Sequence, residues 1–136
     1  MIHVVFGETG TGKSRRLIEM ANDSLDGAKG TLVFVSYDDQ YMYGLKRNIR
    51  FIDASEYCIS DPKMLFGFVA GIAAQDFDLE KIYIDELSKI ARQPSETFET
   101  FFAELEAFSN KREIEIVISM SGERGTAPAF MAKYAF

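Results

Sequence analysis

Short, continuous apolar runs recur along this chain, and stretches with helical spacing separate them. The runs are IHVVF (Ile2 to Phe6), TLVFVS (Thr31 to Ser36), IRFIDAS (Ile49 to Ser55), KIYID (Lys81 to Asp85) and EIEIVISMS (Glu113 to Ser121). A strand wetted on one side alternates apolar and polar residues, whereas a strand covered on both faces need not. Strands of the second kind alternating with helices predict an α/β fold: a mainly parallel sheet with helices on both faces and right-handed crossovers. The chain has 136 residues, 47% of them hydrophobic, enough to build one core without disulfides.

The intervening segments read as helices. Lys13 to Leu25 sets Leu17, Ile18, Met20, Ala21 and Leu25 near helical spacing, and Asp26-Gly27 ends it. Tyr37 to Asn48 is expected to form a short helix. Asp61 is a candidate N-cap with Pro62 in the first turn, and that helix should reach about Gln75, with Gly67 and Gly71 weakening it or letting it lie close to the sheet. Ser95 is a candidate cap for a helix whose Phe98, Phe101, Phe102, Leu105 and Phe108 should face the sheet. Ala127 to Phe136 reads as a short terminal helix.

Between the first strand and the first helix stands Gly7-Glu8-Thr9-Gly10-Thr11-Gly12-Lys13-Ser14, which fits G-x-x-x-x-G-K-[ST] at every fixed position. A glycine-rich bend lets backbone N–H groups converge on phosphate oxygens without Cβ clashes, and the helix behind it adds free N–H groups and the positive end of its dipole. The segment resembles the Walker A motif of P-loop nucleotidases. That resemblance implies that residues 7–14, with Arg15 as a further possible contact, bind a nucleotide, that Lys13 reaches the β- and γ-phosphates, and that Ser14 ligates Mg²⁺. Asp85, at the end of KIYID, resembles the Walker B aspartate that completes the metal site, and Glu86 occupies the place of a water-activating general base. Taken alone, the two acids could equally cap the turn after the strand.

The order of these parts is similar to the additional-strand branch of P-loop ATPases, and within it to the RecA/KaiC-type core. The likeness covers most of the chain, but only the P-loop and the acidic pair are specific. It implies one P-loop nucleotide-binding domain over residues 1–136, built as a three-layer α/β/α sandwich. Its five strands should run in the order 1-5-4-2-3: Ile2–Phe6, Ile114–Ser119, Lys81–Asp85, Thr31–Ser36, Arg50–Ala54. It also implies a γ-phosphate sensor at the tip of the fifth strand, Ser119, with Ser121 as second candidate. An arginine acting in trans would come from a neighbouring copy or a protein partner: Arg124 first, with Arg92 and Arg112 behind it, each more readily read as a solvated surface charge. Asp38 or Asp39 could assist water activation or start a helix. Tyr41 and Tyr43 could stack on a base or pack one face with the hydroxyl wet.

The reading is therefore a Mg²⁺-dependent ATPase working in an oligomer or larger assembly, with ATP and Mg²⁺ as cofactors. A nucleotide-binding switch with negligible turnover stays open, and a small-molecule kinase ranks behind for want of an arginine-rich lid. No N-K-x-D guanine motif occurs; SNKRE (Ser109 to Glu113) comes nearest and lacks the aspartate. The single histidine, His3, excludes a Ser–His–Asp triad around it, and no His/Cys cluster suggests zinc. A net charge of −6 gives no support to nucleic-acid binding, although a local basic patch remains compatible with it. One cysteine, Cys58, no basic leader and no apolar run long enough for a bilayer lead to the expectation of a cytoplasmic protein without membrane contact.

Overall fold

The computed structural model describes residues 1–123 and 125–135. Its strands are β1 (Ile2–Gly7), β2 (Thr31–Ser36), β3 (Ile49–Asp53), β4 (Leu79–Ile84) and β5 (Glu115–Ser121). They form one sheet in the order β1-β5-β4-β2-β3, and every pairing is parallel rather than mostly so. The helices are α1 (Lys13–Leu25), α2 (Pro62–Ala74), α3 (Leu87–Ala91) and α4 (Glu99–Arg112).

Both faces of the sheet are covered, which is why its strands are apolar throughout. On one face Val5, Leu32, Phe34, Tyr83 and Val117 pack with Leu17, Ile18 and Ala21 of α1. Phe34 stacks with Phe51 and Tyr83 at ring-centroid distances of 6.4 and 6.2 Å, and the Tyr83 hydroxyl meets Ser24 Oγ at 2.9 Å. On the other face Val33, Val35, Ile82, Ile84, Ile116 and Ile118 meet Leu65 and Val69 of α2 and Phe101, Phe102 and Leu105 of α4. Each such side chain contributes roughly 1.5–3 kcal/mol on full burial. Phe108, expected with them, is half-buried and lies edge-on to Phe66.

Local chemistry sets the element ends. The Asp61 carboxylate accepts from Met64 N at 2.8 Å with Pro62 at the first helical position, so α2 starts as its cap demands. α4 is preceded by a 3₁₀ turn at Ser95–Phe98, and Ser95 makes no side-chain cap. β3 stops two residues short of the expected Ser55, because Asp53 accepts from Ser55 N at 3.0 Å and starts a 3₁₀ turn at Ala54–Tyr57. β4 begins earlier than expected, at Leu79, and Asp85 stands just beyond it. The helix expected over Tyr37 to Asn48 shrinks to one 3₁₀ turn, Met42–Gly44, since Asp38 accepts from Gln40 N and closes a local turn instead. The terminal segment forms a 3₁₀ helix, Ala129–Tyr134, lying along β1, with Tyr134 stacked on Phe102 at 5.3 Å.

Parallel register brings the carboxyl ends of the strands to one edge: Gly7 sits level with Ser121, and Ile84 with Ile118. Because β5 lies between β1 and β4, the carboxyl ends of β1 and β4 stand two strand spacings apart, about 10 Å. The tip of β5 fills that interval.

Candidate functional site

The bend after β1 turns on two glycines in the left-handed region, Gly10 (φ 86°) and Gly12 (φ 83°). Both conformations are strained for residues with a Cβ. Gly12 precedes the first residue of α1, and Arg16 N donates to Gly12 O at 3.0 Å as the helix begins. The Glu8 carbonyl gathers three donors: Thr11 N at 3.3 Å, Thr11 Oγ1 at 2.7 Å and Lys13 Nζ at 2.7 Å. Lys13 is thereby folded back over its own loop and is only 5% exposed.

Across the tip of β5, the Ser14 hydroxyl reaches both carboxylate oxygens of Asp85, at 3.0 and 2.9 Å. Asp85 is fully buried. Ser119 Oγ donates to Asp85 Oδ1 at 2.7 Å and accepts from Glu86 N at 2.8 Å. Burial pushes the Asp85 carboxyl above the ordinary aspartate value of 3.8; the hydroxyls of Ser119 and Ser14 counter this, the Glu86 charge adds to it, and Lys13 offsets part.

Glu86 takes a left-handed backbone (φ 59°, ψ 62°), a costly conformation for a residue with a Cβ. Its carboxylate accepts from Ser121 Oγ at 2.9 and 2.7 Å and lies 3.7 Å from Lys13 Nζ. Two opposite charges, each about 5% exposed, therefore face each other above the sheet edge.

Gly10, Gly12, Lys13, Ser14 and Glu86 border a cleft of about 320 Å³ that also takes in Thr9, Arg15, Tyr37, Tyr41 and Lys89, with Asp85 buried behind Ser14. Thus Lys13, Ser14, Asp85, Glu86 and Ser119, expected from sequence, come together with the loop glycines. Ser119, expected as a phosphate sensor, has its hydroxyl committed to Asp85 and Glu86 N. Arg112 lies elsewhere, donating to Ala73 O at 2.9 Å and covering the rings of Phe77 and Phe108. Tyr43 is 91% exposed and does not border the cleft. Arg124 lies outside the described residues.

One contributor was not expected from sequence. Lys89 follows the acidic pair by three residues and sits 4.7 Å from the centroid of the Tyr37 ring. Ser121, expected as the second candidate for a phosphate sensor, instead donates its hydroxyl to the Glu86 carboxylate, and the parallel register sets it level with Gly7.

Ser14 and Asp85 suit Mg²⁺, a hard cation that takes oxygen ligands and usually keeps several waters. Among the described residues no group of three or more His, Cys, Asp or Glu side chains could hold a metal ion. Ser14 and Asp85 together offer one hydroxyl and one carboxylate. Also among the described residues, no helix is long and apolar enough to cross a membrane. No protein-family model matches the chain, and no curated protein matches it.

Proposed function

We propose that this chain is a P-loop nucleotidase of the additional-strand, RecA/KaiC-like type that binds ATP with Mg²⁺ and hydrolyses it, working in an oligomer or a larger assembly. The observation that carries the reading is the Ser14–Asp85 contact: the residue after the loop lysine meets a buried carboxylate two strands away, over a glycine-built bend. The strand inserted between them, β5, is the arrangement that names that branch.

ATP lays its phosphates against the amides of residues 8–14 and the first turn of α1. Ser14 and Asp85 would hold Mg²⁺, which would supply neutralisation of the phosphate charge. Lys13 exchanges the Glu8 carbonyl and Glu86 for the β- and γ-phosphate oxygens, which releases the Glu86 carboxylate from its ion pair and leaves it on Ser121. Glu86 then takes a proton from a water attacking the γ-phosphorus in line; the bond to the β-phosphate oxygen breaks, giving ADP and inorganic phosphate. An arginine from a neighbouring copy would add charge stabilisation, and without it turnover falls about 10³-fold or more.

The hold of Ser121 and Lys13 on Glu86 favours a second reading, a switch that binds ATP and scarcely hydrolyses it until a partner releases the base. ATP turnover measured over a range of protein concentrations, beside Glu86→Gln, separates the two. The ATPase reading expects turnover per chain to rise with concentration, and Glu86→Gln to bind ATP with turnover cut roughly 100-fold. Equal turnover in both proteins would remove Glu86 as the base; no nucleotide binding by either would end the whole proposal.

A further inference from the structure

A second cavity, of about 390 Å³, adjoins the first and shares two of its walls, Tyr37 and Lys89. Its remaining lining comes from residues 54–60, after β3, and from Ile90 and Arg92 at the end of α3. In a chain of net charge −6 no carboxylate among the described residues lines it, whereas two cations do. Lys89 has compensation nearby: its ammonium lies over the Tyr37 ring and feels the charges of Glu86 and Asp38. Arg92 has no ion-pair partner among the described residues. The nearby Asp53 carboxylate is taken up by Ser55, accepting from its N at 3.0 Å and its Oγ at 2.6 Å.

We infer that this cavity is a binding site for a small organic anion, its phosphate or carboxylate group held by Arg92 and Lys89 and its body lying against Ile59, Ile90 and the Tyr37 ring. The volume is that of a metabolite-sized pocket, apolar in part with a few convergent polar groups. A guanidinium offers paired donors to either oxyanion. Since Lys89 and Tyr37 also border the nucleotide cleft, the bound anion lies next to the ATP site of the proposed reading. The inference itself rests on this cavity's own residues and stands apart from that reading.

The isotope-labelled full chain, titrated with inorganic phosphate and separately with acetate and followed by amide NMR shifts, tests it. Saturable shifts are expected at Ser55, Cys58, Ser60 and Arg92. They should persist in Lys13→Ala, which weakens the grip of the glycine-rich loop on phosphate. Arg92→Gln should weaken them about tenfold or more, and Arg92→Lys should restore part of the loss. Tighter binding of phosphate assigns a phosphoryl ligand, and tighter binding of acetate a carboxylate. Shifts confined to residues 7–16, no saturable shift with either probe, or shifts at the cavity indifferent to Arg92→Gln would each overturn the inference. A chain that failed to bind ATP yet showed the cavity shifts would sink the proposed function and leave this site standing.

Discussion

Ser119→Ala removes one oxygen atom from the centre of the site, and its effect follows from two hydrogen bonds. The buried Glu86 N–H loses its acceptor, at a cost of about 1–3 kcal/mol for an unsatisfied donor. Asp85 loses one of its two hydroxyl donors, and a hydrogen bond to a charged group is worth about 1.5–3 kcal/mol. The terms share an atom and do not add fully, so the expected loss is about 2–4 kcal/mol, a large part of a typical domain's stability. The loss should also depend on pH. Burial already holds the Asp85 carboxyl above its unfolded value, so its stabilising contribution is complete below that value and fades as pH rises through the folded one. Removing Ser119, the largest influence opposing that shift, pushes the carboxyl higher still. The gap between wild type and variant should therefore widen from pH 4 to pH 8. Urea denaturation at several pH values measures it. A variant within about 0.5 kcal/mol of wild type, or a gap that narrows as pH rises, would refute the reasoning.

Asp85→Asn replaces a buried carboxylate with an amide of the same shape; the variant's stability should change less with pH than the wild type's, while the Mg²⁺-dependent part of ATP affinity disappears, as paired denaturation and binding titrations would reveal. Gly30→Ala should cost about 1–3 kcal/mol by thermal denaturation, because a Cβ there would run into the Asp78 carbonyl oxygen, to which Thr31 N donates at 2.8 Å. Asp61→Ala should lose about 1 kcal/mol through the α2 cap and leave nucleotide binding intact.

The sheet was legible because parallel strands covered on both sides must be apolar along their length, as TLVFVS and EIVISMS are. Their order came from the resemblance, not from the strands themselves, which carry no mark of their neighbours. The glycine-rich bend was legible because Gly10 and Gly12 sit where the backbone turns left-handed. Five-residue α3 escaped notice, being too short to show a helical period. Ser121 was legible as a polar residue at a strand tip but not as the partner of Glu86, and nothing in the sequence singled out Lys89; both roles depend on register and on a turn at Glu86 that no local pattern announces. The second cavity joins residues 54–60 to residues 89–92, segments brought together only by the fold.

The most direct measurement is calorimetric titration of the chain with ATP, with Mg²⁺ and again with a chelator, for the wild type and for Ser14→Ala. The account predicts saturable binding that weakens about tenfold or more when Mg²⁺ is withdrawn, and a variant in which that difference is largely gone. Absence of binding, or equal affinity with and without the metal, would contradict it.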